Sequence, residues 1–177
     1  MDELEKIDEA KYFYNRILYC QENRNEFKYN LSAFLSSSRS ILQYILKRSE
    51  NNSNIKTWYD CKVSESRILG FFKDKRNVNI HVRPVDFSTK INLEIHDTIS
   101  ISETIGIKLF DKNGNLKDHQ VIRSAEPEKK EPESPKISYE YKFSDWSGNE
   151  DVITLCRMYL DELNDIVMEG QNKGFLV

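Results

Sequence analysis

Apolar residues in the first fifty positions recur at steps of three and four. Over roughly residues 3–21, Tyr12, Phe13, Ile17 and Leu18 share helical spacing and predict a first helix. Asn23 and Asn25 interrupt the pattern. A longer helix is predicted over roughly 25–49, where Phe27, Leu31, Phe34, Leu35, Ser38, Ile41, Leu42, Ile45 and Leu46 form one buried stripe. Ala33, Ser36, Ser37, Ser38 and Ser40 are small enough to let a neighbouring helix approach closely. Ser49 to Asn54 reads as a polar loop. Ser64 reads as the N-cap of a third helix that runs to about Val82, with Pro84 as the stop.

The period then changes from helix-like to strand-like. Ile91, Leu93 and Ile95 alternate with polar residues, as do Ile99 and Ile101, and then Ile105, Ile107 and Leu109. Asn113-Gly114 supplies a hairpin turn, and Val121 and Ile122 suit the return strand. The Pro/Glu/Lys-rich segment 126–136 has nothing to bury and reads as a solvated loop. Tyr139, Tyr141 and Phe143 predict one more strand. Val152, Leu155, Cys156, Tyr159, Leu160, Leu163 and Val167 define the apolar face of a last helix over roughly 150–170, with Gly170 at its end. The expectation is a single α+β domain over 1–177, predominantly α. Residues 1–84 and 148–177 would form a four-helix bundle, and a small antiparallel sheet over 85–147 would be inserted between the third and last helices.

Composition agrees with a folded chain: 38% of the residues are hydrophobic, with nine Phe, nine Tyr and two Trp. The net charge of −3 does not announce a nucleic-acid binder, so any nucleic acid must be held by a local basic patch. No apolar run approaches the ~18 residues of a membrane span. The acidic start Met1-Asp2-Glu3-Leu4-Glu5 lacks a signal-peptide core. Cys20, Cys61 and Cys156 are odd in number and widely spaced, which fits free thiols in a reducing cytoplasm better than a disulfide framework.

The chemistry concentrates at the end of the third predicted helix, in Phe71-Phe72-Lys73-Asp74-Lys75-Arg76-Asn77-Val78-Asn79-Ile80-His81. Arginine grips phosphate with two prongs, and histidine moves protons near neutral pH. At about 100° per residue, Ile68, Leu69, Phe71, Phe72, Val78 and Ile80 share an apolar arc that also contains Arg76 and Asn79. Two readings of Arg76 stay open: a structural ion pair or a stem snorkelling past the core edge, or a cleft where the guanidinium meets a phosphate. His81 points about 140° away from Arg76 on an unbroken helix. The two converge only if the helix end loosens, as Val78, Ile80, Val82 and Pro84 would allow, or if a partner completes the site. Lys73, Lys75, Arg76 and Arg83 against Asp74 give the stretch a formal charge of +3.

Arg76-Asn77-Val78-Asn79-Ile80-His81 resembles the Arg–polar–x–x–x–His signature of HEPN domains, and the helical segments over roughly 3–82 and 150–170 resemble their layout. The segment from Tyr29 to Gln43 is similar to the second helix of bacterial HEPN-like proteins. The resemblance implies a homodimer in which two motif helices form one cleft. It implies a metal-independent endoribonuclease of the toxin or defence type, acting on RNA, with an antitoxin or another protein as a candidate partner; no cofactor is expected. Arg76 would hold the scissile phosphate, His81 would act as general acid or base, and Asn77 would orient the histidine or a phosphate oxygen, leaving a 2′,3′-cyclic phosphate. Lys73, Lys75 and Arg83 would support substrate binding; Arg39, set amid small residues, would either reach the motif helix and support binding there or form an ordinary ion pair. Some HEPN-like proteins are instead interaction modules, and here the inserted sheet would be the recognition surface.

Other signals point elsewhere. His81, His96 and His119 lack metal-ligand spacing, and no Cys-x-x-Cys accompanies them. Trp58-Tyr59 and Asp145-Trp146 read as core anchors rather than stacking platforms. Tyr139 and Tyr141 read as packing of the sheet onto the bundle.

Overall fold

The computed structural model describes residues 3–94, 104–123 and 135–176. Five helices and four strands are found among them: α1 (Glu3–Tyr19), α2 (Arg24–Ser49), α3 (Ser53–Glu65), α4 (Arg67–His81), β1 (Ser88–Glu94), β2 (Thr104–Phe110), β3 (Leu116–Arg123), β4 (Lys136–Lys142) and α5 (Val152–Asn172). The α+β class and its helical majority agree with the sequence pattern. The chain divides into two compact units, one of residues 1–92 and 138–177, the other of residues 93–137.

The helical unit is built around aromatic stacking. Phe72 of α4 lies parallel to Tyr159 of α5, with ring centroids 4.4 Å apart and planes 4° apart. Phe34 of α2 meets both rings edge-on. Edge-to-face and stacked pairs each contribute about 0.5–1.5 kcal/mol beyond burial, so this triad joins three helices at one point. The α2 stripe is buried as expected from Phe27 to Ile45. On α1 the buried positions are Ile7, Ala10 and Ile17, whereas Tyr12 and Leu18 of the expected stripe are exposed. Glu3, buried, accepts from Arg48 Nε and Nη2 at 2.6 and 3.2 Å, which fastens the start of α1 to the end of α2.

Helix α3 occupies residues the sequence pattern left between a polar loop and the third predicted helix. Only Ile55 and Tyr59 are buried on it, which is too weak a stripe to announce a helix. Its signal is the cap: Asn52 Oδ1 accepts from Asn54 N and Ile55 N. The N-cap of the motif helix is Ser66, whose Oγ accepts from Leu69 N, rather than Ser64, whose hydroxyl donates to Cys61 O. At the far end, Gly170 lies inside α5 rather than ending it. A Cβ there would come within 2.6 Å of Leu176 Cδ1 and 3.0 Å of Trp58 Cη2, so glycine lets the C-terminal residues fold back. The left-handed position is Gly174, at φ 69°.

β1 and β4 pair as a two-stranded antiparallel ribbon. Val85, Phe87, Tyr141 and Phe143, in and beside these strands, are buried in the same core as the helices. Phe27 stacks on Tyr141 at 3.9 Å, and Tyr141 Oη donates to Gln21 O at 2.5 Å. The ribbon therefore belongs largely to the helical unit, so an insertion spanning 85–147 is too wide; the separate unit begins at Leu93 and ends at Ile137.

That second unit contains the β2–β3 hairpin, in antiparallel register from Thr104↔Arg123 to Phe110↔Leu116. Asp111 Oδ1 accepts from Asn113 N and Asn115 N, and Gly114 takes φ 83°, so Asn113-Gly114 does turn the chain, within a five-residue loop rather than a two-residue one. Ile95, His96, Ile99, Ile101 and most of segment 126–136 lie outside the described residues.

Candidate functional site

Helix α4 carries the motif, and its hydrogen bonding does not loosen at the end. Val82 N and Arg83 N both bond to Val78 O, at 3.0 Å each. The β-branched residues that favour fraying are held by this closing turn and by Asn79. Asn79 Nδ2 donates to Ser32 Oγ at 2.7 Å, and Asn79 Oδ1 accepts from Val85 N at 3.1 Å. One amide thus pins α4 to α2 and fixes the exit from the helix. The angular separation of Arg76 and His81 therefore stands at about 140° within one chain.

Arg76 is half-buried, and its Nε is buried without a hydrogen-bond partner. Its one side-chain hydrogen bond among the described residues runs from Nη1 to Asn77 Oδ1 at 3.5 Å. No carboxylate pairs with it among the described residues. The structural ion pair left open by the sequence is thus not found there. Arg39 of α2 is in a similar state: half-buried, with Nη1 unpartnered, close enough to the Tyr159 hydroxyl to act on it electrostatically. Burial nevertheless pushes that hydroxyl's pKa well above the ordinary tyrosine value. Ser38 Oγ and Tyr159 Oη are likewise buried without partners.

His81 is exposed and belongs to a different stripe of α4. Asp74, Val78 and His81 are spaced i, i+4, i+7 and share a face. Asp74 and Val78 line a cavity of about 420 Å³, walled by Phe71 and Val85 and rimmed by Arg83 and Asp86. The apolar arc expected for α4 is narrower than predicted: Ile68, Leu69 and Phe72 are buried, while Val78 and Ile80 are 37% and 45% exposed.

Of the expected substrate-binding cations, Lys75 is already engaged. Its ammonium pairs with Asp145 at 2.5 Å and sits over the rings of Phe71 and Phe143 at 5.2 and 4.6 Å. Lys73 and Arg83 are exposed and carry no ion pair among the described residues. Sequence reasoning missed Asp86 and read Asp145 as part of a core anchor; both line the cavity, exposed, and turn its local charge acidic. Their signal was positional only: both lie outside the motif and reach it through the chain segments flanking β1 and β4. Among the described residues no group of His, Cys, Asp or Glu could hold a metal ion, and no helix is long and apolar enough to cross a membrane. Comparison with protein-family models, with curated proteins and with solved structures finds no match for this chain.

Proposed function

We propose that the chain is a HEPN-like, metal-independent endoribonuclease that acts as a homodimer. The observation that carries this reading is Arg76, a half-buried guanidinium with an unpartnered Nε and no carboxylate opposite it. A half-buried cation without a counter-charge is costly, and a phosphodiester supplies the missing anion in the geometry a guanidinium prefers. Arg39, half-buried and without an ion pair on the neighbouring helix, adds to the same field. His81, exposed five residues on, is free to move a proton for attack by a ribose 2′-hydroxyl, which leaves a 2′,3′-cyclic phosphate. Because α4 is unbroken, the two groups belong to one cleft only when a second α4 contributes to it. Exposed Ile80 and Val82 offer apolar surface for that meeting. Asn77, beside Arg76, orients the guanidinium.

A second reading, a protein-interaction module, is favoured by one observation in the hairpin unit. Ile105, Ile107, Leu109 and Ile122 fall on one face of β2–β3 and are 41–57% exposed. A single experiment separates the readings: incubate RNA in EDTA with wild type, Arg76→Ala, His81→Ala and the hairpin variant Ile107→Ser. The ribonuclease reading predicts cleavage by wild type and Ile107→Ser, with losses of about 10²-fold or more for the other two. No cleavage by antitoxin-free wild type, or equal cleavage by all four, contradicts it and leaves the hairpin face as the feature to explain.

A further inference from the structure

The cavity beside α4 is not used by the proposed cleavage chemistry, and its lining is specific enough to name a ligand class. Its wall is apolar, from Phe71, Val78 and Val85. Two carboxylates, Asp74 and Asp86, face it with no ion pair or hydrogen bond among the described residues, whereas the third, Asp145, is committed to Lys75. The remaining cation is Arg83, also without a carboxylate partner there.

Carboxylates only accept hydrogen bonds, so the ligand must bring donors. Arg83, exposed at the rim, is placed to pair with an anion on the same molecule. A lone basic side chain supplies donors to the carboxylates but leaves Arg83 unanswered. A nucleotide satisfies all three features at once. Its base is flat and apolar in the faces, its edge carries amino or imino donors, and its phosphate answers arginine. The volume, about 420 Å³, falls in the range of small-molecule sites, roughly 300–1,000 Å³. Among bases, guanine presents an N1–H and an N2 amino group side by side, a two-point match to one carboxylate. Uracil presents one donor between two acceptor oxygens, which a carboxylate repels.

We propose that this cavity is a nucleotide pocket that prefers guanine, with Asp74 or Asp86 reading the base edge and Arg83 holding a phosphate. It lies on the α4 stripe of His81, so for RNA it would seat a base next to the cleaved bond; that RNA form rests on the ribonuclease reading. The pocket itself does not.

Trp146 reports on it. Its ring lies 4.8 Å from Phe71 and is one of two indoles in the chain, the other being Trp58. Titrate the full-length protein with GMP, UMP and arginine methyl ester, following both indole N–H signals by NMR. Then titrate two short RNAs, one with a single guanine and one without. The expected result is that GMP shifts the Trp146 signal and leaves Trp58 in place, that UMP binds at least tenfold more weakly, and that Asp74→Asn together with Asp86→Asn removes the difference. Stronger binding of the guanine-bearing RNA than of GMP assigns the pocket to RNA; binding of GMP alone assigns it to a free nucleotide, and both support the base chemistry. Equal binding of GMP and UMP, a Trp146 response to arginine methyl ester instead, or no response to any nucleotide overturns it. GMP binding without RNA cleavage keeps the pocket and rejects the ribonuclease reading; cleavage without base preference does the reverse.

Discussion

At the scale of single residues, two asparagines two positions apart do different work. The side chain of Asn77 makes one hydrogen bond among the described residues, accepting from Arg76 at 3.5 Å, whereas Asn79 uses both ends of its amide, on Ser32 and on the backbone of Val85. Replacing Asn79 by Ala orphans the half-buried Val85 N–H and unties α2 from α4, a loss of about 1–3 kcal/mol. Asn77→Ala should cost under about 0.5 kcal/mol, because its single hydrogen bond, at 3.5 Å, is a long and weak one. Urea unfolding of the two variants checks the contrast; equal losses would contradict it. The sequence placed Arg76 and Asn79 on the inward side of the helix, which is where both are half-buried. It could not say which partner each finds, because Ser32 and Val85 come from segments with no pattern linking them to α4. Tyr12 and Leu18 lie outside the core for a related reason: α1 buries Ile7 and Ala10 instead, and a small alanine carries little weight in a hydrophobic pattern.

At the scale of elements, long strongly striped helices were legible and capped short ones were not. α2 and α5 follow their predicted faces almost position by position, because each buries a continuous row of large side chains. α3 holds its place by other means. Trp58 Nε1 donates to Glu169 Oε1 at 2.9 Å, and Lys62 pairs with Glu169 Oε2 at 2.6 Å, so one carboxylate of α5 clasps two residues of α3. Lys62 first and the Trp58 indole second hold the Glu169 carboxyl below its ordinary value of 4.5. A carboxyl whose folded value is depressed adds stability at pH above its unfolded value and loses that contribution as pH falls through the folded value. Thermal unfolding midpoints measured from pH 7 down to pH 3 should therefore fall more steeply for wild type than for Glu169→Gln. Parallel curves would show that the clasp contributes nothing to acid sensitivity.

At the scale of the molecule, the helical unit is completed by the β1–β4 ribbon, while the β2–β3 hairpin belongs to a unit of its own. Alternation alone read all these strands as one sheet, since period two says that a strand forms but not which core receives it. The ribbon enters the helical core because Phe87, Tyr141 and Phe143 meet Phe27, Phe71 and Phe72, contacts made between residues far apart in sequence. The central claim also belongs to this scale. One continuous α4 keeps Arg76 and His81 on different sides, so a site using both needs two copies. The most direct measurement mixes Arg76→Ala with His81→Ala, denatures and refolds them together, and assays RNA cleavage in EDTA beside each variant alone. A shared cleft predicts that the mixture regains roughly a quarter of wild-type activity, since half the dimers are mixed and each holds one intact site. A mixture as inactive as its parts, from variants that fold and dimerise, or cleavage by a wild-type monomer, would contradict the account.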